Sequence, residues 1–211
     1  MAIEWLELHP VDPQKRWLQR AADCVRGGGV IAYPTDSCYA LGCRTGDKDA
    51  AERIRKIRQF DRHHLFTLVC RDLAEIANYA RVDNWQYRLL RQLTPGPYTV
   101  ILEATKEVPR RLQHEKRKTI GIRVPEHKAA HALLDLLGEP MLSCTLQFPD
   151  ADEPVGDPND YRQALEQSVD LVLDGGTCGI MPTTVLDLSG ATPLLLRQGL
   201  GDVSMLGLSE A

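Results

Sequence analysis

Cations and hydroxyls, rather than a nucleophile, are what this sequence offers to chemistry. The polar stretch Pro34-Thr35-Asp36-Ser37-Cys38-Tyr39 follows the apolar run Val30-Ile31-Ala32-Tyr33. A polar turn at the carboxyl end of a strand is where open α/β sheets bind ligands, though an ordinary turn also uses Pro, Thr, Asp and Ser. Lys56-Ile57-Arg58 closes a basic helix. Positions i and i+2 of a helix point apart, so these two cations share one ligand only if the helix ends near residue 57. In Thr119-Ile120-Gly121-Ile122-Arg123 the strand period sets Thr119, Gly121 and Arg123 on one face and the isoleucines on the other. An Arg sharing a face with Gly suits a closely approaching ligand or a solvent face. Arg197 ends the run Pro193-Leu194-Leu195-Leu196. Brought together, such groups would bind and align anions.

Charge patterning supports that chemistry more than the total does. The formal net charge is −4, yet residues 52–71 and 106–123 hold 13 of the 25 bases at a net of +9, leaving the remainder at −13. Concentrated positive segments on an acidic body focus anions, whereas the plain alternative is two solvated faces. Other chemistries find little support. Gly27-Gly28-Gly29 leads into a strand, so it reads as a helix stop and not as a phosphate loop. His63-His64 are adjacent and lack a third ligand at metal spacing, so no metal site is expected. There is no G-x-S-x-G, and the cysteines at 24, 38, 43, 70, 144 and 178 form no CxxC. Scattered thiols suit a reducing, cytoplasmic setting. No apolar run reaches the roughly 20 residues of a membrane span, and the acidic N-terminus is no secretory signal.

The positioning elements follow from local signals. Asp12-Pro13 predicts a helix start, running to about Arg26 and stopped by the glycines. Further helices are expected from Asp47 to between residues 55 and 57, from Asp72 to Tyr79 with a capping box at Glu75, from Asp83 to before Thr94-Pro95-Gly96-Pro97, from His127 to Leu137 closed by Gly138, and from Asp157 to about Gln167. Strands are expected at 30–33, 65–70, 98–104, 119–124, 141–145, 171–173, 184–187 and 193–197, with 3–8 as an edge strand, and 147–160 reads as a surface loop. Strand and helix alternate without a composition break over 211 residues, which predicts one layered α/β domain with a largely covered sheet.

In this order the motifs resemble the YrdC/YciO family of threonylcarbamoyl-AMP synthases and their relatives. The matching stretches are 28–42, Lys56-Ile57-Arg58, Thr94-Pro95-Gly96-Pro97-Tyr98-Thr99, Thr119 to Pro125, Pro182 to Asp187 and Leu196-Arg197-Gln198-Gly199, together spanning about residues 10–202. The 107–121 region is similar to the YciO branch. The resemblance implies a single three-layer domain, a twisted mixed sheet with helices on both faces and a positively charged concave cavity. It further implies formation of threonylcarbamoyl-AMP and pyrophosphate from ATP, threonine and bicarbonate, for modification of tRNA. Lys56 and Arg58 match the Lys-x-Arg pair that holds the reacting charges. Thr35, Tyr39, Arg123, Arg197, Thr183 and Thr184 match residues that contact nucleotide or amino acid. Mg²⁺ enters on the triphosphate. Relatives are also described as binding double-stranded RNA, for which Lys116, Arg117 and Lys118 are the candidates. Two departures stand out. Thr145-Leu146-Gln147 replaces Ser-x-Asn, with Gln147 one methylene longer, and the Pro that usually follows the Lys-x-Arg pair is missing. The alternatives are an RNA-binding protein and a nucleotide-binding paralogue without synthase activity.

Overall fold

The computed structural model describes residues 3–61 and 65–206, so Arg62, His63 and His64 lie outside the described residues. The chain forms β1 (Glu4–Glu7), α1 (Lys15–Arg26), β2 (Ile31–Tyr33), β3 (Ala40–Arg44), α2 (Lys48–Arg58) and β4 (Thr67–Val69). Then come α3 (Leu73–Tyr79), α4 (Asn84–Leu93), β5 (Tyr98–Glu103), β6 (Thr119–Arg123), α5 (Lys128–Leu137) and β7 (Met141–Thr145). It ends with α6 (Arg162–Ser168), β8 (Leu171–Asp174), β9 (Thr184–Asp187) and β10 (Leu194–Arg197). Among the described residues no helix is long and apolar enough to cross a membrane.

Most boundaries follow local chemistry. Asp47 accepts the Ala50 amide at 2.9 Å and Asp72 the Glu75 amide at 2.8 Å, satisfying donors that a helix start leaves free. Gly138 closes α5 at φ 75°, a left-handed conformation suited to glycine. Three expectations shift. Helix α1 begins at Lys15 and not at Pro13, because the His9 imidazole takes the amides of Val11 (3.3 Å) and Asp12 (3.1 Å) and holds them in a turn. A 3₁₀ turn over Pro158–Tyr161 precedes the shorter α6. Helix α2 runs on to Arg58, with Gln59 left-handed at φ 50° as its cap.

Strand β3 was not anticipated. Ala-Leu-Gly-Cys-Arg carries no β-branched residue, so its propensity signal is weak. Pairing on both sides makes the strand: Leu41 lies opposite Ala32 of β2 and Cys144 of β7. Its Gly42 leaves room for neighbours, since a Cβ there would come within 2.7 Å of Met141 Sδ and 3.0 Å of the Tyr33 ring.

All ten strands form one mixed sheet, ordered β1-β8-β2-β3-β7-β4-β6-β5-β9-β10, with β1 at an edge as expected. Alternation divides the side chains between its faces. On one face Leu41, Leu68, Ile120, Ile122 and Leu142 pack against Ile54 of α2, Ile76 of α3, Leu90 of α4 and Leu165 of α6. On the other, Ile31, Tyr33, Leu171 and Leu173 are covered by Leu18, Ala22 and Val25 of α1 and Leu133 and Leu134 of α5. A fully buried side chain of this kind contributes about 1.5–3 kcal/mol, so both helices are firmly docked. The α1 and α5 side chains cover the β1-β8-β2-β3 part and reach as far as Met141 of β7 and Val69 of β4. Beyond them the same face is open over β7, β4, β6, β5 and β9. The site lies there.

Candidate functional site

The open half of the sheet is the floor of a cavity of about 660 Å³. Its floor is rich in hydroxyls: Thr67 of β4, Thr99 of β5, Thr119 of β6, Ser143 and Thr145 of β7, and Thr183 just before β9. Gly121 sits among them on β6, level with Thr67 of β4 and Ile101 of β5. The alternation read from the sequence therefore holds, with Thr119, Gly121 and Arg123 lining the cavity and Ile120 and Ile122 in the core. The Thr119 hydroxyl is buried with no protein partner. Thr99 and Thr183 bond each other at 2.8 Å. Of these floor residues, the sequence reading singled out Thr145 and Thr183 and set Thr119 and Gly121 on the Arg123 face. It missed Thr67, Thr99 and Ser143, whose signal was their alternation with buried neighbours.

Three guanidinium groups from distant parts of the chain meet at this cavity: Arg58, Arg123 and Arg197. Arg58 lies 4.6 Å over the Phe60 ring and donates to the Gln147 carbonyl, while its Nε has no partner. Arg197 donates to the Thr183 carbonyl from Nη2 (2.8 Å) and Nε (3.2 Å). Burial pulls the pKa of Arg58 and Arg197 below the ordinary value, and both remain cationic in the physiological range. Arg123 bonds Asp36, Ser37 and Thr35 through Nη2. The lining is not uniformly positive, for Asp152 and Glu153 also reach it. The Cys144 thiol beside Arg58 is pushed up to about 12 by burial, which leaves it protonated and a poor nucleophile.

Other predicted residues stand apart from the cavity lining. Lys56 is exposed. Because α2 continues through Arg58, residues 56 and 58 diverge around the helix. Thr35 is buried, its hydroxyl donating to the Cys38 carbonyl at 2.6 Å. Tyr39 is wholly buried; its hydroxyl donates to the Gly176 carbonyl (2.8 Å) and accepts the Gly175 amide (2.9 Å). Thr184 is buried too, donating to the Gly201 carbonyl (2.7 Å) and accepting the Gly199 amide (2.9 Å). Arg117 pairs with the buried Asp187, and Lys118 Nζ donates to the Glu115 carbonyl at 2.6 Å. Lys116 is exposed. The basic segments thus disperse: Arg53 pairs with Asp170 at 2.7 Å, Arg71 with Glu75 at 3.0 Å, and Arg111 donates to the Gly46 carbonyl.

Gln147 lines the cavity, but its amide is spent on the loop that follows β7. Nε2 donates to the carbonyls of Ala151 (2.9 Å) and Asp152 (3.3 Å). The loop is further closed by the Val155 amide on the Leu146 carbonyl (2.9 Å) and by stacking of Phe148 on Tyr161 at 5.2 Å. This loop carries Asp152 and Glu153 to the cavity. The lining also has an apolar part, with Ile180 and Met181 about half exposed.

Residues 23–199 match the Sua5/YciO/YrdC family model, described as "Telomere recombination". The chain belongs to the Sua5/YciO/YrdC family. It is 54% identical over 200 residues to YciO of Escherichia coli strain K12, covering 95% of this chain and 97% of that protein. The crystal structure of E. coli YciO superposes with a TM-score of 0.91 over 95% of this chain and 98% of that one, at 53% identity. A threonylcarbamoyl-AMP synthase of Chromobacterium violaceum is 38% identical over 132 residues, 62% of this chain and 68% of its own. P. abyssi Sua5, crystallised with L-threonine, shares the fold with a TM-score of 0.86 at 22% identity, over 98% of this chain and 60% of that one. Sua5 and YciO structures carry the same mixed α/β architecture, a single twisted sheet flanked by helices.

Proposed function

We propose that this member of the Sua5/YciO/YrdC family condenses ATP, threonine and bicarbonate to threonylcarbamoyl-AMP and pyrophosphate, a precursor for tRNA modification. The observation that carries this reading is the convergence of Arg58, Arg123 and Arg197 on one hydroxyl-floored cavity. Threonine's free amine and bicarbonate give the carbamate and water. A carbamate oxygen then attacks the α-phosphorus of ATP, and the bond to the bridging oxygen breaks to release pyrophosphate. The carbamate, the carboxylate and the triphosphate are all anionic, so catalysis of this transfer consists largely of neutralising and aligning charge. Arg58, Arg123 and Arg197, which all line the cavity, are suited to the phosphate, carboxylate and carbamate oxygens. The floor hydroxyls donate to the same oxygens, and Mg²⁺ travels on the triphosphate. The naming of a relative as a threonylcarbamoyl-AMP synthase and the L-threonine complex of Sua5 support the choice of substrates.

Binding without turnover is favoured by one observation, the commitment of the Gln147 amide to its own loop. A single assay separates the two readings. Pyrophosphate release from MgATP is measured with threonine and bicarbonate each added and withheld. Release that requires both supports synthesis, and nucleotide binding without release supports the second reading. Arg58→Ala is expected to slow release at least tenfold more than Lys56→Ala, since only Arg58 reaches the cavity. Equal losses would refute that ranking.

A further inference from the structure

Asp36 contributes a buried carboxylate beside the cavity that the turn carrying it does not need. The turn closes through Thr35, whose hydroxyl donates to the Cys38 carbonyl (2.6 Å) and accepts the amides of Ser37 (3.2 Å) and Cys38 (3.3 Å). It is clamped from outside by Gly179, where a Cβ would come within 2.5 Å of the Ser37 carbonyl oxygen. None of these contacts uses the Asp36 side chain. Its carboxylate faces Arg123 instead, with only 10% of either side chain exposed. One oxygen accepts from Arg123 Nη2, and the other is buried without a partner. Burying a half-satisfied carboxylate costs stability, so its retention in the fold points to what it does for Arg123.

Arg123 is tethered at one end only. Nη2 donates to Asp36, to Ser37 Oγ at 3.0 Å and to Thr35 Oγ1 at 3.3 Å, while Nε is buried without a partner. The two hydroxyls are neutral and the Thr35 contact is long, so the charged acceptor dominates the tether. A free arginine side chain samples many rotamers, and ordering it on binding costs affinity. Fixing it beforehand removes that cost.

We propose that Asp36 is a positioning residue: it acts on a bound anion only through Arg123, anchoring one end of that guanidinium to the 34–38 turn so that the rest is presented to the cavity. The inference rests on the functional reading above only for the class of ligand, a phosphate or carboxylate. It makes a prediction opposite in sign to plain electrostatics. Removing a carboxylate beside a cationic site strengthens anion binding if charge alone matters, and weakens it if the carboxylate positions the cation.

The test is calorimetric titration with inorganic pyrophosphate of the wild type, Asp36→Ala, Arg123→Ala and the double variant, with thermal melts to verify folding. Asp36→Ala is expected to bind about tenfold more weakly and the double variant no more weakly than Arg123→Ala, the non-additivity expected of residues acting as a unit. Asp36→Asn, which keeps an acceptor of the same shape but loses its charge, should still bind more weakly than the wild type, where charge alone predicts tighter binding, and serves as the comparison if the alanine variant does not fold. Tighter binding by Asp36→Ala, or losses that simply add, would overturn the proposal. A ligand-free readout keeps it separate from the functional reading: the Arg123 Nε–H resonance and a crystal structure of Asp36→Asn and Asp36→Ala. If wild-type protein binds neither pyrophosphate nor ATP, the functional reading fails, while an Arg123 guanidinium unmoved in Asp36→Ala sinks the positioning role on its own.

Discussion

Adding one methyl group at Gly121 should separate the needs of the fold from those of the ligand. Gly121 is central in β6, and its φ is not in the left-handed region. A Cβ there would lie 3.5 Å from Thr67 Oγ1, 3.5 Å from Thr99 Cγ2 and 3.8 Å from the Phe66 carbonyl oxygen. These are ordinary van der Waals contacts, so the sheet accepts Gly121→Ala without rearrangement. Where alanine fits, the loss of unfolded-chain freedom stabilises by about 0.4–1 kcal/mol. For a chain of this size that raises Tm by about 1–4 °C. The same methyl projects into the cavity floor, between hydroxyls a ligand would use. Crowding a packed contact by one methyl costs about 1–3 kcal/mol, which is about five- to 150-fold in Kd. Thermal melting and calorimetric titration with ATP, pyrophosphate and threonine report the two effects separately. The expected result is a slightly raised Tm with weakened binding of at least one ligand. Unchanged binding of all three would show that no ligand descends to the floor. A lowered Tm would show that Gly121 serves the fold, against the geometry described here.

Two further outcomes follow from buried polar groups. Thr184→Val keeps the shape but unpairs the Gly199 amide and leaves the Gly201 carbonyl with Gln198 Nε2 (2.8 Å) alone; a loss of about 2 kcal/mol is expected, or about 4–8 °C in Tm, and an unchanged melt would mean that the 199–201 turn is held by other contacts. His127, at the start of α5, is held below its ordinary 6.5, chiefly by burial and also by Arg123 and His131, with Asp36 opposing. The unfolded chain therefore takes up the proton first, so this histidine costs no stability well above pH 6.5 and destabilises increasingly as pH falls through that value. His127→Gln should flatten that part of the profile, measured as urea midpoints at about pH 7.5 and 5.5, and a variant with an undiminished acid-side decline would count against the assignment.

Much of the architecture was readable because its signals are local. The Asp72 cap of α3 (the reciprocal half of the expected capping box is missing because the Glu75 carboxylate accepts the Arg71 amide instead), the glycine that closes α5, and the alternation through β6 each depend on residues a few places apart. The same holds for the edge position of β1, whose isolated polar-apolar run precedes any partner. What failed was of a different kind. Strand β3 lacks β-branched residues and exists because β2 and β7 pair with it from both sides. Lys56 and Arg58 form one motif in the sequence, and because α2 continues through Arg58 the two diverge around the helix.

From its sequence alone this protein is an alternating α/β chain whose strand faces can be assigned, with Arg123 and Gly121 on the same side and cations at 58 and 197 near element ends. A residue type and its period determine that much, since both act over one or two turns or pleats. Only the tertiary structure decides which polar groups remain free. Tyr39 and Thr184 look like ligand contacts until loops at 175–176 and 199–201 arrive to take their hydroxyls. Arg117 is claimed by Asp187, seventy residues away, and Gln147 by its own loop. A buried hydrogen-bonding group must find a partner, and the nearest partner in space is unrelated to the nearest in sequence. Arg58, Arg123 and Arg197 therefore meet at one cavity, over the part of the sheet face that the α1 and α5 side chains leave uncovered.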